Sequence, residues 1–120
     1  MTKKDIAVTF LKLASSGKVR DAYDRYVHRD FKHHNVYFKG DRESFLRAME
    51  ENARQFPDKT YEVIHALEDG DLVAVHGKVM LAPKIYAVIH VFRFERDTIS
   101  ESWEASQEEL KDSPNVNGLF

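Results

Sequence analysis

The spacing of apolar residues changes once along the chain, at Pro57. Before this point they recur every three or four residues, and after it they alternate or cluster, as they do in strands. Helices followed by consecutive strands are typical of an α+β domain. We therefore predict a single domain over residues 1–120. It is mainly helical over 1–57, an antiparallel meander over 58–107 and an irregular tail over 108–120.

Three helices are predicted in the first half of the chain. The first is capped by Thr2 or Asp5 and ends at Gly17. The third follows its cap, Asp41, and ends at Pro57. The predicted apolar stripes are Ile6, Phe10, Leu13 and Ala14 in the first helix, Val19, Ala22, Tyr23 and Tyr26 in a short second helix, and Phe45, Met49, Ala53 and Phe56 in the third.

Four strands joined by short turns are predicted in the second half. Turn signals occur at Asp69-Gly70, at Pro83 and at Arg96-Asp97. The predicted strands cover 60–68, 71–81, 85–95 and 98–105. Consecutive strands with short connections form an antiparallel meander.

A histidine pair on the two middle strands is the main candidate for chemistry. If Ala82-Pro83-Lys84 forms a three-residue turn, Leu81 pairs with Ile85, and His76 then lies opposite His90. The same logic predicts a row of Val63, His76, His90 and Trp103 across the sheet. A slip of one residue would turn every side chain of a strand to the other face.

In this register the two faces of the sheet differ. One carries Val73, Val75, Val79, Ile89 and Val91; the other carries His65, Ala74, His76, Lys78, Tyr86, His90, Phe92, Phe94, Glu101 and Trp103. The mixed face is expected to line a pocket. Three helices cover only one side of such a sheet, so the aliphatic face is expected to be buried in a homodimer or to remain a valine-rich surface.

Composition excludes several classes of protein. Eighteen Lys and Arg against 20 Asp and Glu leave no basic stripe for nucleic acid. The chain has no cysteine, and therefore neither disulfides nor thiolate metal sites. No apolar run approaches the roughly 20 residues that cross a bilayer, and no signal-peptide pattern is present near the start. We expect a cytoplasmic protein with no nucleic-acid or membrane partner.

Several segments together resemble the SnoaL-like family, which comprises polyketide-cyclase-related proteins of the nuclear transport factor 2-like superfamily. They are Tyr26-Val27, His34-Asn35, Glu68 to His76, His90 to Phe94, and Ile99 to Glu104 with Gln107. The resemblance covers roughly Phe10 to Gln107. It implies a cone-shaped α+β barrel with N-terminal helices on a curved antiparallel sheet, a cavity between them, and a dimer through the outer sheet face.

The resemblance also implies a chemistry. Cyclases of this family use a cavity histidine and an aspartate on the next strand for an aldol ring closure, without metal or organic cofactor. His76 matches the histidine, whereas His90 stands in place of the aspartate. Ser102-Trp103-Glu104 replaces the usual His-Trp-Asp, and His34-Asn35 keeps the family's His-Asn motif.

Three functional hypotheses follow. In the first, His76 and His90 act as acid and base in an aldol-cyclase or isomerase reaction on a small carbonyl compound, without a cofactor. In the second, the protein is a noncatalytic dimer that binds a small hydrophobic molecule. In the third, the two histidines bind a metal with His34 or His65 and Glu101. The expected substrate-binding residues are His34, Asn35, Tyr86, Phe92, Glu101 and Trp103.

Overall fold

The computed structural model describes all 120 residues, as three helices and a five-stranded sheet. The helices are α1 (Lys3–Ser15), α2 (Val19–Tyr26) and α3 (Arg42–Gln55). The strands are β1 (Val27–His34), β2 (Thr60–Asp69), β3 (Leu72–Leu81), β4 (Lys84–Glu95) and β5 (Thr98–Glu108). None of the three helices has the length and hydropathy needed to cross a membrane.

The starts of α1 and α3 follow from their caps. Thr2 accepts a hydrogen bond from the Asp5 amide while the Asp5 carboxylate accepts one from the Thr2 amide, which makes a capping box at the start of α1. Gly17, just beyond the end of α1, has a φ of 90°, a conformation that glycine adopts at little cost. Asp41 caps α3 by accepting from the Ser44 amide at 2.9 Å.

The sheet is mixed and open, with the strand order β1-β5-β4-β3-β2. Strands β2 to β5 form the predicted antiparallel meander, and β1 adds to its edge parallel to β5. The helices pack against the concave face of this curved sheet. The α+β fold with helices first is therefore confirmed, although the sheet does not close and its edge strand β1 was not predicted.

The predicted register between β3 and β4 is wrong by one residue. The turn has two residues, Ala82 and Pro83, so Leu81 pairs with Lys84 instead of Ile85. As a result His90 lies opposite Val75, and His76 lies opposite Ile89. Because paired residues share a face and neighbouring residues alternate, His76 and His90 point to opposite sides of the sheet.

The predicted composition of the two faces changes accordingly. The concave face carries Val73, Val75, Val79, Tyr86, His90, Phe92 and Phe94, whereas the outer face carries His65, Ala74, His76, Lys78, Ile89, Val91, Glu101 and Trp103. The alternation of side chains within each strand was predicted correctly. The error is that the outward-facing set of β3 was assigned to the same face as the inward-facing set of β4. The row Val63, His76, His90, Trp103 does not form, since Val63 pairs with Gly77 and Trp103 with Val91.

Candidate active site

A cavity of about 230 Å³ lies between the helices and the concave face of the sheet. Its apolar wall includes Phe10, Phe31, Phe45, Met49 and Phe92. This volume is somewhat below the roughly 300–1,000 Å³ of drug-sized sites, so the cavity fits only a small or flat molecule.

His90 and Glu104 form the central polar pair of this cavity. They are directly paired across strands β4 and β5, and His90 Nε2 lies 3.3 Å from Glu104 Oε1. Their side chains are only 14% and 21% exposed. The other ring nitrogen, His90 Nδ1, is buried and has no hydrogen-bond partner. A ligand in the cavity can supply the partner that this nitrogen lacks.

The environment of Glu104 keeps its carboxylate charged. Burial raises its pKa, but the hydrogen bond and charge of the adjacent His90 ring, together with the Lys59 charge, lower it by more, so the pKa is below the ordinary value. The Asn35 side-chain amide also donates to Glu104 Oε2 at 3.3 Å. An ionised carboxylate next to His90 Nε2 favours the tautomer with the proton on Nε2, which leaves Nδ1 as an acceptor.

His33 is a second buried imidazole in the cavity. Its Nδ1 lies 2.8 Å from Ser102 Oγ, and its ring stacks on Phe45 with 3.6 Å between the ring centres. Burial lowers the pKa of His33 to about 4, so the ring is neutral at pH 7. Its Nε2 is buried without a partner. When Ser102 donates to Nδ1, Nε2 carries the proton and becomes a donor toward the cavity.

Two tyrosine hydroxyls in the cavity also lack partners. Tyr23 and Tyr61 both line it, and their hydroxyl oxygens are buried and make no hydrogen bond. Burial raises the pKa of each phenol well above its ordinary value. Both hydroxyls therefore remain protonated and available as donors at neutral pH.

The predicted site residues divide between the two faces. His90, Tyr86 and Phe92 line the cavity. Asn35 lies at the edge of the site and donates to Glu104. His76, which was predicted to share the pocket with His90, faces outward because of the one-residue slip.

The remaining predicted residues form a separate cluster on the outer face. His34 Nε2 lies 2.7 Å from Glu101 Oε2, and the His34 ring stacks on Trp103 at 5.0 Å between ring centres. These three side chains point away from the cavity, so their expected contact with a substrate inside it is wrong. His34 was also preferred over His33, yet His33 faces inward because β1 alternates between the two faces.

The residues of the metal hypothesis are separated. His90 is inside the cavity, whereas His34, His65, His76 and Glu101 lie on the outer face. No group of three His, Cys, Asp or Glu side chains is close enough to hold a metal ion. The ligand set proposed from the sequence therefore does not assemble.

Sequence reasoning missed Glu104, His33, Tyr61 and Lys59 as cavity residues. Glu104 follows Ser102 by two positions, so strand alternation alone places both on one face once either is assigned. For Lys59, which precedes β2, the sequence carries no comparable signal.

The helices, the open curved sheet and the cavity between them have the arrangement of the nuclear transport factor 2-like fold. The family model described as a SnoaL-like domain matches residues 7–102. The chain therefore belongs to the SnoaL-like family, as its sequence segments indicated. Among curated proteins, no sequence matches the chain significantly.

Solved structures share this fold at low sequence identity. A nuclear transport factor 2-like protein of unknown function from Cytophaga hutchinsonii has a TM-score of 0.74 and 16% identity, covering 89% of this chain and 91% of its own. IdmH from Streptomyces antibioticus, provisionally assigned as a polyketide cyclase, has a TM-score of 0.75 and 20% identity over 89% and 93%. A Kribbella flavida protein provisionally assigned as a ketosteroid isomerase has a TM-score of 0.76 and 16% identity over 94% and 83%.

Proposed function

We propose that this protein is a cofactor-independent acid/base enzyme that moves a proton on a small carbonyl compound, as an aldol cyclase or an isomerase does. The observation that carries the proposal is the buried pair His90–Glu104, with a free nitrogen on His90 inside the cavity. The provisional assignments of two structural neighbours, as a cyclase and an isomerase, support this class of reaction.

In the proposed reaction, His90 is the base. Its Nδ1 takes a proton from the carbon next to the substrate carbonyl, and the electron pair of the broken C–H bond forms an enolate. The imidazolium that results lies beside the Glu104 carboxylate, which stabilises its positive charge. The same proton then returns to the enolate, or to the new alkoxide after an aldol step.

The enolate oxygen needs a hydrogen-bond donor. Tyr23 and His33 each hold an unpartnered polar atom in the cavity wall. Donors that are already fixed in a water-poor site stabilise a developing negative charge without reorganisation. We assign this role to the group as a whole.

Exchange of a carbon-bound proton provides the test. With 2-tetralone as a flat carbonyl probe in D2O, we expect the protein to accelerate deuterium incorporation at the carbon next to the carbonyl, followed by proton NMR. No acceleration over buffer, together with binding of the same probe, would contradict catalysis. That result would favour the noncatalytic binding protein, whose cavity is the same.

The outer face supports a homodimer as the form in which the protein acts. Leu67, Ile89 and Met80 are 68%, 43% and 37% exposed there, and Val91 and Trp103 lie on the same face. Several exposed apolar residues on one face of a small protein are typical of an interaction site. We propose that a second copy covers this face.

A further inference from the structure

Lys59 is a half-buried cation that the proposed reaction does not use. It lies just before β2, lines the cavity and donates from Nζ to Asn52 Oδ1 at 2.9 Å. It forms no ion pair, unlike Lys84, whose Nζ lies 3.5 Å from Glu108. An ammonium group has three donors, so two of those on Lys59 remain without a protein partner.

The other charge of the cavity is already engaged. Glu104 is the only carboxylate in the cavity wall, and it is held by His90 and Asn35. No ion pair joins it to Lys59. Burial lowers the pKa of Lys59 while the more distant charge of Glu104 raises it. The only protein partner of the Lys59 ammonium is a neutral amide, and the ammonium is partly desolvated. An anionic ligand group would therefore stabilise its charge more than a neutral group would.

Tyr61 adds a second free donor at the same end of the cavity. It follows Lys59 by two residues, and its buried hydroxyl has no partner. The Tyr61 ring lies over Gly77, where a Cβ atom would collide with it. Because Gly77 has no side chain, the Tyr61 ring can lie over it, and this position holds the Tyr61 hydroxyl in the cavity wall.

We propose that Lys59 and Tyr61 bind a carboxylate of the substrate, so that the preferred ligand is a small oxo acid and not a neutral ketone. This inference rests on the proposed function for the role of the carbonyl group, which lies toward His90. The carboxylate accepts from the Lys59 ammonium and from the Tyr61 hydroxyl. The apolar wall encloses the rest of the carbon skeleton.

A matched pair of probes tests the inference without catalysis. Benzoylformate and benzoylformamide differ only by a carboxylate and an amide of similar size. We expect benzoylformate to bind the wild-type protein about tenfold more tightly in NMR titrations, since one charge-assisted contact distinguishes the two. Equal binding of the two probes, or no binding of either, would overturn the inference.

Substitutions of Lys59 test whether this residue causes the preference for benzoylformate. The Lys59→Met variant should bind both probes equally, whereas Lys59→Arg, which keeps the charge, should retain the preference. Lys12→Met, which removes an exposed cation on α1, serves as the matched control and should behave as wild type. A preference that persists in Lys59→Met would place the carboxylate elsewhere.

Two further readouts separate the alternatives. Should Lys59→Met not fold, the side-chain NMR signals of Lys59 in the wild type are expected to shift with benzoylformate, and unchanged signals would overturn the inference. Borohydride reduction in the presence of benzoylformate should leave no covalent adduct. An adduct on Lys59 would show an amine nucleophile instead of an anion-binding ammonium. Failure of the proposed function, by contrast, appears only as absent deuterium exchange in 2-tetralone.

Discussion

The two faces of the same sheet each carry a pair of imidazoles, but in different surroundings. On the concave face, His33 and His90 are shielded by the helices, and each has one buried nitrogen without a partner. On the outer face, His65 Nδ1 and His76 Nδ1 lie 3.2 Å apart, directly paired across β2 and β3. The two pairs are separated by the thickness of the sheet.

The partners of the two pairs explain why only one is a candidate for catalysis. His90 has a carboxylate on one nitrogen and cavity space on the other. His76 has another imidazole on one side and stacks on Phe120 of the tail, with 6.0 Å between ring centres. The predicted pair of adjacent imidazoles does not form inside the cavity, and the carboxylate of Glu104 beside His90 is the feature that prepares a base there.

Replacing one histidine on each face provides the sharpest contrast. His90→Gln should lower the rate of 2-tetralone exchange by about 10²–10⁴-fold, the usual contribution of a general base. His76→Gln should leave the rate unchanged, because the side chain is on the other face. The rates are measured by NMR under identical conditions. Equal losses in the two variants would remove the distinction between the faces.

The enclosed ring of His33 makes the stability of the folded protein depend on pH. The folded state holds the pKa of His33 at about 4, against 6.5 for the free side chain. Between these values the unfolded chain binds a proton that the folded chain does not. The contribution of His33 to the free energy of unfolding is therefore fully present above pH 6.5. It is lost as the pH decreases toward 4, by about 3 kcal/mol over this range.

Urea unfolding across this window checks the expectation. His33→Gln should lower the stability at neutral pH but flatten its dependence on pH. A slope that is the same in wild type and in His33→Gln would show that this ring is not the group that titrates.

Glu104→Gln tests whether the carboxylate matters beyond filling space. The amide has nearly the same shape but cannot stabilise the imidazolium of His90, so we expect the exchange rate to fall about tenfold or more. Binding of 2-tetralone should change little. A rate equal to that of the wild type would assign Glu104 a structural role only.

Ile89→Lys probes the outer face. The wild-type protein is expected to sediment with twice the 14.0 kDa mass of one chain. The variant should sediment as a monomer, because a charge in the middle of an apolar interface is costly to desolvate. Lys78 is half-buried on the same face of the sheet, with its ammonium over the Phe120 ring of the tail, and a Lys78→Gln substitution serves as the control. A monomeric wild type would rule out the proposed dimer.

The sequence predicted the elements better than their relative phase. Caps such as Thr2 and Asp41 and the stop at Pro57 are local signals, and the helices follow them. The alternation in β3 and β4 is equally local and was interpreted correctly within each strand. The phase between two strands depends on the length of one turn, and composition does not distinguish a two-residue turn at Ala82-Pro83 from a three-residue turn.

The edge strand β1 was missed for a related reason. It contains the polar run His28-Arg29-Asp30, and its pairing with β5 is irregular between Val27 and Lys32. Only a tertiary partner makes such a segment a strand, since β propensity depends strongly on context. The same partner turns His33 inward, and the site therefore contains a histidine that periodicity alone did not assign.

Histidine imidazole NMR tests the central claim most directly. In a ¹⁵N-labelled sample, 2-tetralone should shift the ring nitrogens of His90 and His33, with His90 protonated on Nε2, while those of His65 and His76 stay in place. Shifts confined to His65 and His76, or a His90 protonated on Nδ1, would contradict an active site on the concave face.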